Sequence, residues 1–408
     1  MGEGTYVKSA ASLKANATSR PIHLNIDVPL LLIVFSIAVF GLLMVYSASN
    51  SMTIFTQQVA WMGVGILAAT AMTLYDYHRY SRWLTILWFV TLALLFAVLV
   101  INDMRFNAAR SLTQGRFQPS ELAKLVIIIY MSFWLSLRQD KLNDIYIGLI
   151  PMGIILGITG GLIYQQPDLS ATMTVLVLGF MLFFLAGGSL RQIVLVAVVA
   201  LVVGWLMVVL NHNGTASARI TSYVAGSRDP LQGSMQLQRS LEGIIKGGWF
   251  GVGIGKADIK WNGLPVPSRD SIFVVIVEET GLVISSLLVI LYGLLAWRGF
   301  VIARRAKDQL GSLLAAGITF WISFEAMINM GMIVGLVPIA GNSLPFISAG
   351  GSSLVVTMAG IGVIMNVARQ SEAGHNSEGR TFSAVVDLRR WDRGRRVSRS
   401  RRPTGPRK

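Results

Sequence analysis

The sequence predicts an all-α fold, a polytopic bundle of about ten membrane-spanning helices, and three observations predict it. Apolar residues fill 53% of the 408 positions and charged residues only 13%, against about 25% charged in ordinary soluble domains. Apolar runs of roughly 20 residues, the length a bilayer core demands, recur along the chain. The remaining charge is lopsided, with 35 Lys and Arg against 20 Asp and Glu, a net of +15. The composition also excludes functions. Without cysteine there is no disulfide framework, thiolate metal site or cysteine nucleophile. His23, His78, His212 and His375 are too scattered for a metal-ligand motif.

The elements follow in order. Residues 1–27 read as a polar cytoplasmic segment carrying Lys8, Lys14 and Arg20. The apolar run from Val28 to Tyr46 is longer than a signal-peptide core and has no small-residue cleavage pattern behind it, so it reads as a retained first span. Spans are expected near 28–47, 54–75, 83–101, 119–137, 146–164, 169–187, 190–210, 271–297, 312–337 and 350–368, forming a membrane domain over 28–368. Lys and Arg gather in alternate loops: Arg79 and Arg82; Arg138 and Lys141; Arg191; Arg298, Arg304, Arg305 and Lys307. That side, with both termini, is expected to face the cytoplasm. Two opposite-side segments break the pattern: 103–124, and a large extracytoplasmic loop of 59 residues at 211–269, between spans seven and eight. From Arg369 to Lys408 the tail holds twelve basic and four acidic residues, a net of +8. It reads as disordered, either anchored on anionic membrane lipids or docking an acidic partner. No nucleic-acid partner is expected.

Intramembrane polar residues are costly and usually face a cavity or a partner, and here they cluster. Gln118-Pro119-Ser120-Glu121-Leu122-Ala123-Lys124 opens span four. Pro119 suits a first helical turn. Glu121 and Lys124, three apart, form either a structural ion pair or a cation aimed at an anionic ligand. Asp168, at the start of span six, is a candidate site residue or a helix cap. The run Ser268-Arg269-Asp270 leads into span eight, which carries Glu278 and Glu279. Asp270 and Glu278 lie about 80° apart on a helical wheel, so they can line one cavity. Between spans nine and ten, residues 335–353 are dense in Gly and Pro and include Ser348 and Ser352. This fits a re-entrant loop lining a cavity. The glycines around Lys246–Lys256 suggest a compact loop of short helices, since no βαβ unit supports a nucleotide site.

These motifs resemble the SEDS family (shape, elongation, division and sporulation), the FtsW/RodA/SpoVE type. They are Tyr46-Ser47-Ala48-Ser49; the QPSE-x-x-K run at 118–124; Gln166-Pro167-Asp168; Gly247-Gly248 with Gly251 and Gly253; Leu264-Pro265; Asp270-x-Ile272-Phe273 followed by Glu278-Glu279; Asn329-x-Gly331; and the run from Pro345 to Ser353. The chain departs from the family's usual residues at Ser268-Arg269, where His-Thr is common, and at Ser111, Ser170 and Glu325.

The resemblance implies a peptidoglycan glycosyltransferase that polymerises lipid II at the outer face of the bacterial cytoplasmic membrane, for cell division or elongation, by inverting displacement at the donor sugar C1. It implies Asp270 as the catalytic base. Arg110 and Lys124, with Arg269 and Lys256, are candidate cations for the pyrophosphate, and Gln118, Ser120, Glu121, Asp168, Glu278, Ser348 and Ser352 are further substrate-binding candidates. The resemblance fixes no cofactor, and a divalent cation, Mg or Mn, is compatible with the chemistry. A class B penicillin-binding protein is the implied partner. A lipid II flippase and a non-catalytic division scaffold are the alternatives.

Overall fold

The computed structural model describes residues 27–104, 118–142, 144–196, 198, 215–229 and 232–392. Arg110 and Ser111, residues 1–26 and residues 393–408 lie outside the described residues.

Besides a helical stretch at 190–196, eleven α-helices are defined among these residues. α1 (Val28–Ser49) starts at Asp27, whose carboxylate accepts the Leu30 N–H at 3.1 Å, and stops at Asn50 in a left-handed conformation. α2 (Met52–Leu74) follows almost at once, then a 3₁₀ turn at Tyr77–Arg82 and α3 (Leu84–Met104). α4 (Pro119–Ser136) has Pro119 in its first turn, as expected. α5 (Ile150–Tyr164) continues from a π-helical turn at Ile145–Leu149, and α6 (Leu169–Leu185) is capped by Asp168. Two short helices, α7 (Thr215–Arg228) and α8 (Met235–Gly247), fall in the expected large loop. α9 (Ile272–Arg304), α10 (Gln309–Ile333) and α11 (Gly351–Asp392) complete the chain.

The chain is an all-α polytopic membrane protein. Seven segments, α1, α2, α4, Ile145–Tyr164, α9, α10 and Gly351–Ser371, are long and apolar enough to cross a membrane, and α3 and α6 are shorter apolar helices. The expected span at 190–210 is helical at 190–196 and lies mostly outside the described residues. α11 runs on to Asp392, past the expected end of the last span at 368. No proline lies between Pro345 and Pro403, and extending an existing helix costs far less than nucleating one.

α4 is the central post, packed against α3, α5, α6, α10 and α11, with Ile128 and Met131 wholly buried. α1 and α2 lie at the periphery and present Phe35, Val39, Ile66 and Leu67 outward, as lipid-facing surfaces do. α9 is not one straight rod. Gly281 has φ 75° and ψ 177°, which splits it into an upper segment, 272–280, and a lower one, 282–304.

Most basic loop residues lie at one end of the bundle, the basic end. There Arg298 makes a two-pronged ion pair with Asp27, at 3.0 and 2.7 Å, fixing α9 to α1. Tyr77 donates to Asp308 at 2.5 Å, and His78 bridges Asp76 and Asp308. Burial raises the Asp76 carboxyl, but hydrogen bonds from Gln370 and His78 outweigh it and hold the group at about 2, below its ordinary 3.8. Because the folded value is the lower one, this linkage is complete above about pH 4 and disappears as pH falls towards 2. The stability difference between the protein and its Asp76→Asn variant, followed by thermal unfolding in micelles, is expected to be flat above pH 4 and to narrow below it.

A methyl group on Gly281 would sit 2.4 Å from both Gly251 N and Trp249 O, in backbone geometry that only glycine adopts readily. Gly281→Ala is therefore expected to lower the melting temperature through strain of about 1–3 kcal/mol plus the clash. Gly293→Ala, on the same helix with nothing within 4 Å, should leave it unchanged.

Candidate functional site

At the end of the bundle opposite the basic loops, a short strip of chain enters α9. Val266 sits in a left-handed conformation (φ 46°) and accepts the Arg269 N–H at 3.1 Å, making a tight turn. Ser271 holds the cap position of α9. Its hydroxyl donates to Pro265 O at 2.8 Å and accepts from Gln236 of α8 at 3.0 Å. Asp270 is thus set on a fixed bend just ahead of the helix, half-buried.

The Gly/Pro-rich segment after α10 clasps this strip through its backbone. Ala349 N–H donates to Ser268 O at 2.8 Å, and the Ser348 hydroxyl donates to Arg269 O at 2.8 Å. Asn329 of α10 donates to Asp270 O at 3.0 Å and to Asn342 O at 2.5 Å. The carboxylate lies beside Gly341, where an added methyl would sit 3.5 Å from Oδ2. The segment also dips into the bundle: a methyl on Gly41 of α1 would meet Phe346 O at 2.7 Å. Gly41 is eight residues below the end of α1 at Ser49, about 12 Å at 1.5 Å per residue. Phe346 itself is left-handed (φ 66°), and the Tyr292 hydroxyl donates to Pro345 O. Strained backbone at bulky residues collects at functional sites, and here two cases flank one carboxylate.

Beside the strip lies a hollow of about 100 Å³ lined by Gln57, Gln58 and Trp61 of α2, by Ser268 and Arg269, and by Ala349. Arg269 is exposed. Gln58 is buried and donates to Ser348 O at 3.2 Å.

A second cluster joins Gln118, Ser120, Asp168 and Ser352. Asp168 caps α6 through the Ala171 N–H at 3.2 Å. Its other oxygen accepts from Gln118 at 2.8 Å and Ser120 at 3.2 Å, so it serves both as cap and as the knot between α4 and α6. The Gln118 N–H reaches the Ser352 hydroxyl at 3.1 Å.

Two expectations change. Lys124 is not aimed at a ligand: it is 2% exposed, bonded to Glu121 at 2.8 Å and to Glu325 of α10, with the Trp321 ring 5.6 Å away. Of the two readings of Glu121 and Lys124, the structure has the ion pair, enlarged by a third member. Glu278 does not share a cavity with Asp270 either. It is 1% exposed and accepts the Asp258 and Ile259 N–H groups at 3.1 and 3.2 Å. Glu279 accepts from Ser47 at 2.5 and 2.7 Å, and from Lys260 at 3.2 Å. The adjacent acids pin the loop onto α9 and α1, because loop backbone donors at this depth need acceptors. Lys256 lies exposed on that pinned loop.

Sequence reasoning missed Gln57, Gln58, Trp61 and Lys260. Asn329 carried a signal, a carboxamide inside an apolar helix. Lys260 carried none, being one more basic residue in a long loop. Among the described residues no group of three or more Asp, Glu or His side chains can hold a metal.

Fold and site together define a polytopic membrane protein with a polar, backbone-clasped pocket at one end of its helix bundle. The chain belongs to the FtsW/RodA/SpoVE family, whose model, described as a cell cycle protein, matches residues 28–373. It is 34% identical to stage V sporulation protein E of Bacillus subtilis over 85% of this chain and 97% of that protein. It is 33% identical to a probable peptidoglycan glycosyltransferase FtsW of Trichlorobacter lovleyi, over 84% and 92%. Among solved structures it is similar to a chain from a peptidoglycan synthase complex, with TM-score 0.73 and 28% identity over 85% and 99% of the two chains. The rod shape determining protein RodA of Thermus thermophilus gives TM-score 0.64 and 25% identity over 86% and 99%.

The buried triad yields a prediction. Glu325→Gln leaves Lys124 paired with Glu121 and should be well tolerated. Lys124→Met leaves two carboxylates facing each other and should cost about 3–5 kcal/mol, read as a large drop in unfolding temperature in micelles.

Proposed function

We propose that the chain is an inverting peptidoglycan glycosyltransferase that polymerises lipid II at the outer face of the cytoplasmic membrane, with both termini cytoplasmic. The observation that carries this reading is the Asp270 carboxylate. Its residue is half-buried, held at the main-chain carbonyl by Asn329, and next in sequence to an arginine that lines a hollow. The positive-inside rule supports placing that end of the bundle outside.

In this mechanism Asp270 removes the proton from the acceptor sugar's 4-hydroxyl as that oxygen attacks the donor C1. The C1–O bond to the pyrophosphate breaks, undecaprenyl pyrophosphate leaves, and the configuration inverts from α to β. One positioned carboxylate suffices as the base, and a single displacement needs no nucleophile on the enzyme. Negative charge grows on the departing diphosphate, and Arg269, exposed beside the hollow, is the cation assigned to meet it in this reading. Lys124 is not, being committed to two carboxylates. Ser348 and Asn329 hold the backbone of Arg269 and Asp270, keeping base and cation in register. No step is assigned to a divalent metal. A class B penicillin-binding protein, which would crosslink the new strands, is the proposed partner.

Asp270→Asn preserves shape and should leave the melting temperature intact. It should lower glycan formation from purified lipid II by about 10²–10⁴-fold, the usual worth of a general base, as read from polymer on a gel. Undiminished polymer would remove Asp270 from the chemistry. Translocation of lipid II in proteoliposomes lacking acceptor, with no polymer, would favour a transporter instead.

A further inference from the structure

The turn from Gly248 to Gly255, between α8 and α9, is built into the broken helix. Val252 and Gly253 donate to the carbonyls of Glu278 and Glu279 at 2.9 and 3.0 Å. In return Leu282 and Val283 donate to the carbonyls of Gly248 and Trp249 at 2.9 and 3.2 Å. These four groups flank the break at Gly281, where the helix cannot pair them itself. The contact is backbone on backbone: a methyl on Gly251 would lie 2.2 Å from Glu279 O, and one on Gly247 2.3 Å from Val277 O. The height of the turn on the bundle is therefore fixed.

That height can be measured along α1. Gly255 N–H donates to the Ser47 hydroxyl at 3.1 Å, and Lys260 reaches Ser47 O at 3.0 Å. Ser47 is 20 residues from Asp27 at the basic end. At 1.5 Å per residue the separation is about 30 Å, the thickness of a hydrocarbon core. The turn sits at the far edge of the hydrocarbon, and its side chains point away from the protein. Trp249 is 71% exposed, Phe250 84% and Ile254 58%. Val283, whose N–H bonds Trp249, begins an exposed apolar face on α9 that runs on through Ile284 and Leu287. The two surfaces are continuous, and aromatic rings are favoured at the boundary between acyl chains and headgroups.

We infer that this turn is an interfacial anchor. Trp249, Phe250 and Ile254 are seated among the lipids of the leaflet at the Asp270 end, and not in water as part of a free outer loop. The chain that leads to Asp270 is then fastened to the bilayer on one side and to the broken α9 on the other. This inference stands whether or not the protein is a glycosyltransferase.

The absence of cysteine makes the test direct. Phe250→Cys, and separately Ile254→Cys, are spin-labelled in the full chain reconstituted in phosphatidylethanolamine/phosphatidylglycerol nanodiscs. Collision rates with oxygen, which partitions into lipid, and with a water-soluble nickel chelate are then compared. Leu287→Cys on α9 serves as the lipid reference and Ser81→Cys, in the exposed loop at the basic end, as the aqueous one. Labels at 250 and 254 are expected to show oxygen-dominated collisions close to the Leu287 value. Nickel-dominated collisions like those at Ser81 would overturn the inference. So would low accessibility to both probes, which would mean that protein covers the turn.

Discussion

A break in a membrane helix frees backbone groups that lipid cannot satisfy, and the break at Gly281 is the constraint on which the rest of this structure depends. Because Glu278 O, Glu279 O and the N–H groups of Leu282 and Val283 need partners, a stretch of the α8–α9 connection must lie against the helix at that level. Only glycine permits the approach at positions 247 and 251, and Gly248 and Gly253 take positive φ beside it, which explains the run better than any phosphate-binding motif does. Glu278 and Glu279 then take up the next N–H groups along the loop. The upper segment of α9 is set at an angle to the lower, and its start, with Asp270 just ahead of it, is delivered to the reach of Asn329 on α10.

Beneath that arrangement lies the triad of Glu121, Lys124 and Glu325. Buried ion pairs are weak contributors to stability, and their best-attested use is to specify one packing. Position makes this use concrete here. Lys124 is one turn below Ser120 on α4, and Glu325 is one turn below Asn329 on α10. The triad therefore locks the register of the two helices that carry the Asp168 cluster and the Asp270 clasp. A slip by a single residue between α4 and α10 would part Lys124 from Glu325 and shift both clusters together.

The apolar spans of the first half were legible because lipid imposes a simple rule on length and polarity, and expected and observed helix boundaries agree to within a few residues from α1 to α6. Helix starts at Pro119 and Asp168 were legible for the same local reason, since capping involves neighbours in sequence. The partners of Glu278 and Glu325 were not. Glu325 lies 201 positions from Lys124, and the donors to Glu278 are main-chain N–H groups, which every residue except proline carries and which leave no mark in sequence. Helical-wheel reasoning put Asp270 and Glu278 on one cavity because it assumed an unbroken helix. Asp270 in fact precedes α9 on a tight turn, and the wheel does not extend to it.

The same distinction between backbone and side-chain contacts bears on the residues where this chain departs from the family pattern. Ser268 and Arg269 stand where the family often has His-Thr, beside the proposed base. In the structure the clasp holds both through their carbonyls, from Ala349 and Ser348, and a carbonyl is indifferent to its side chain. The bend that positions Asp270 therefore survives the exchange, while the side chains at 268 and 269 are left facing the hollow with Gln57 and Trp61. Glu325 and Ser170 differ in kind, because their side chains are themselves bonded, to Lys124 and Asp168 respectively. Departures at 268–269 thus change the lining of the hollow without moving the carboxylate, whereas those at 170 and 325 rework the supports beneath it.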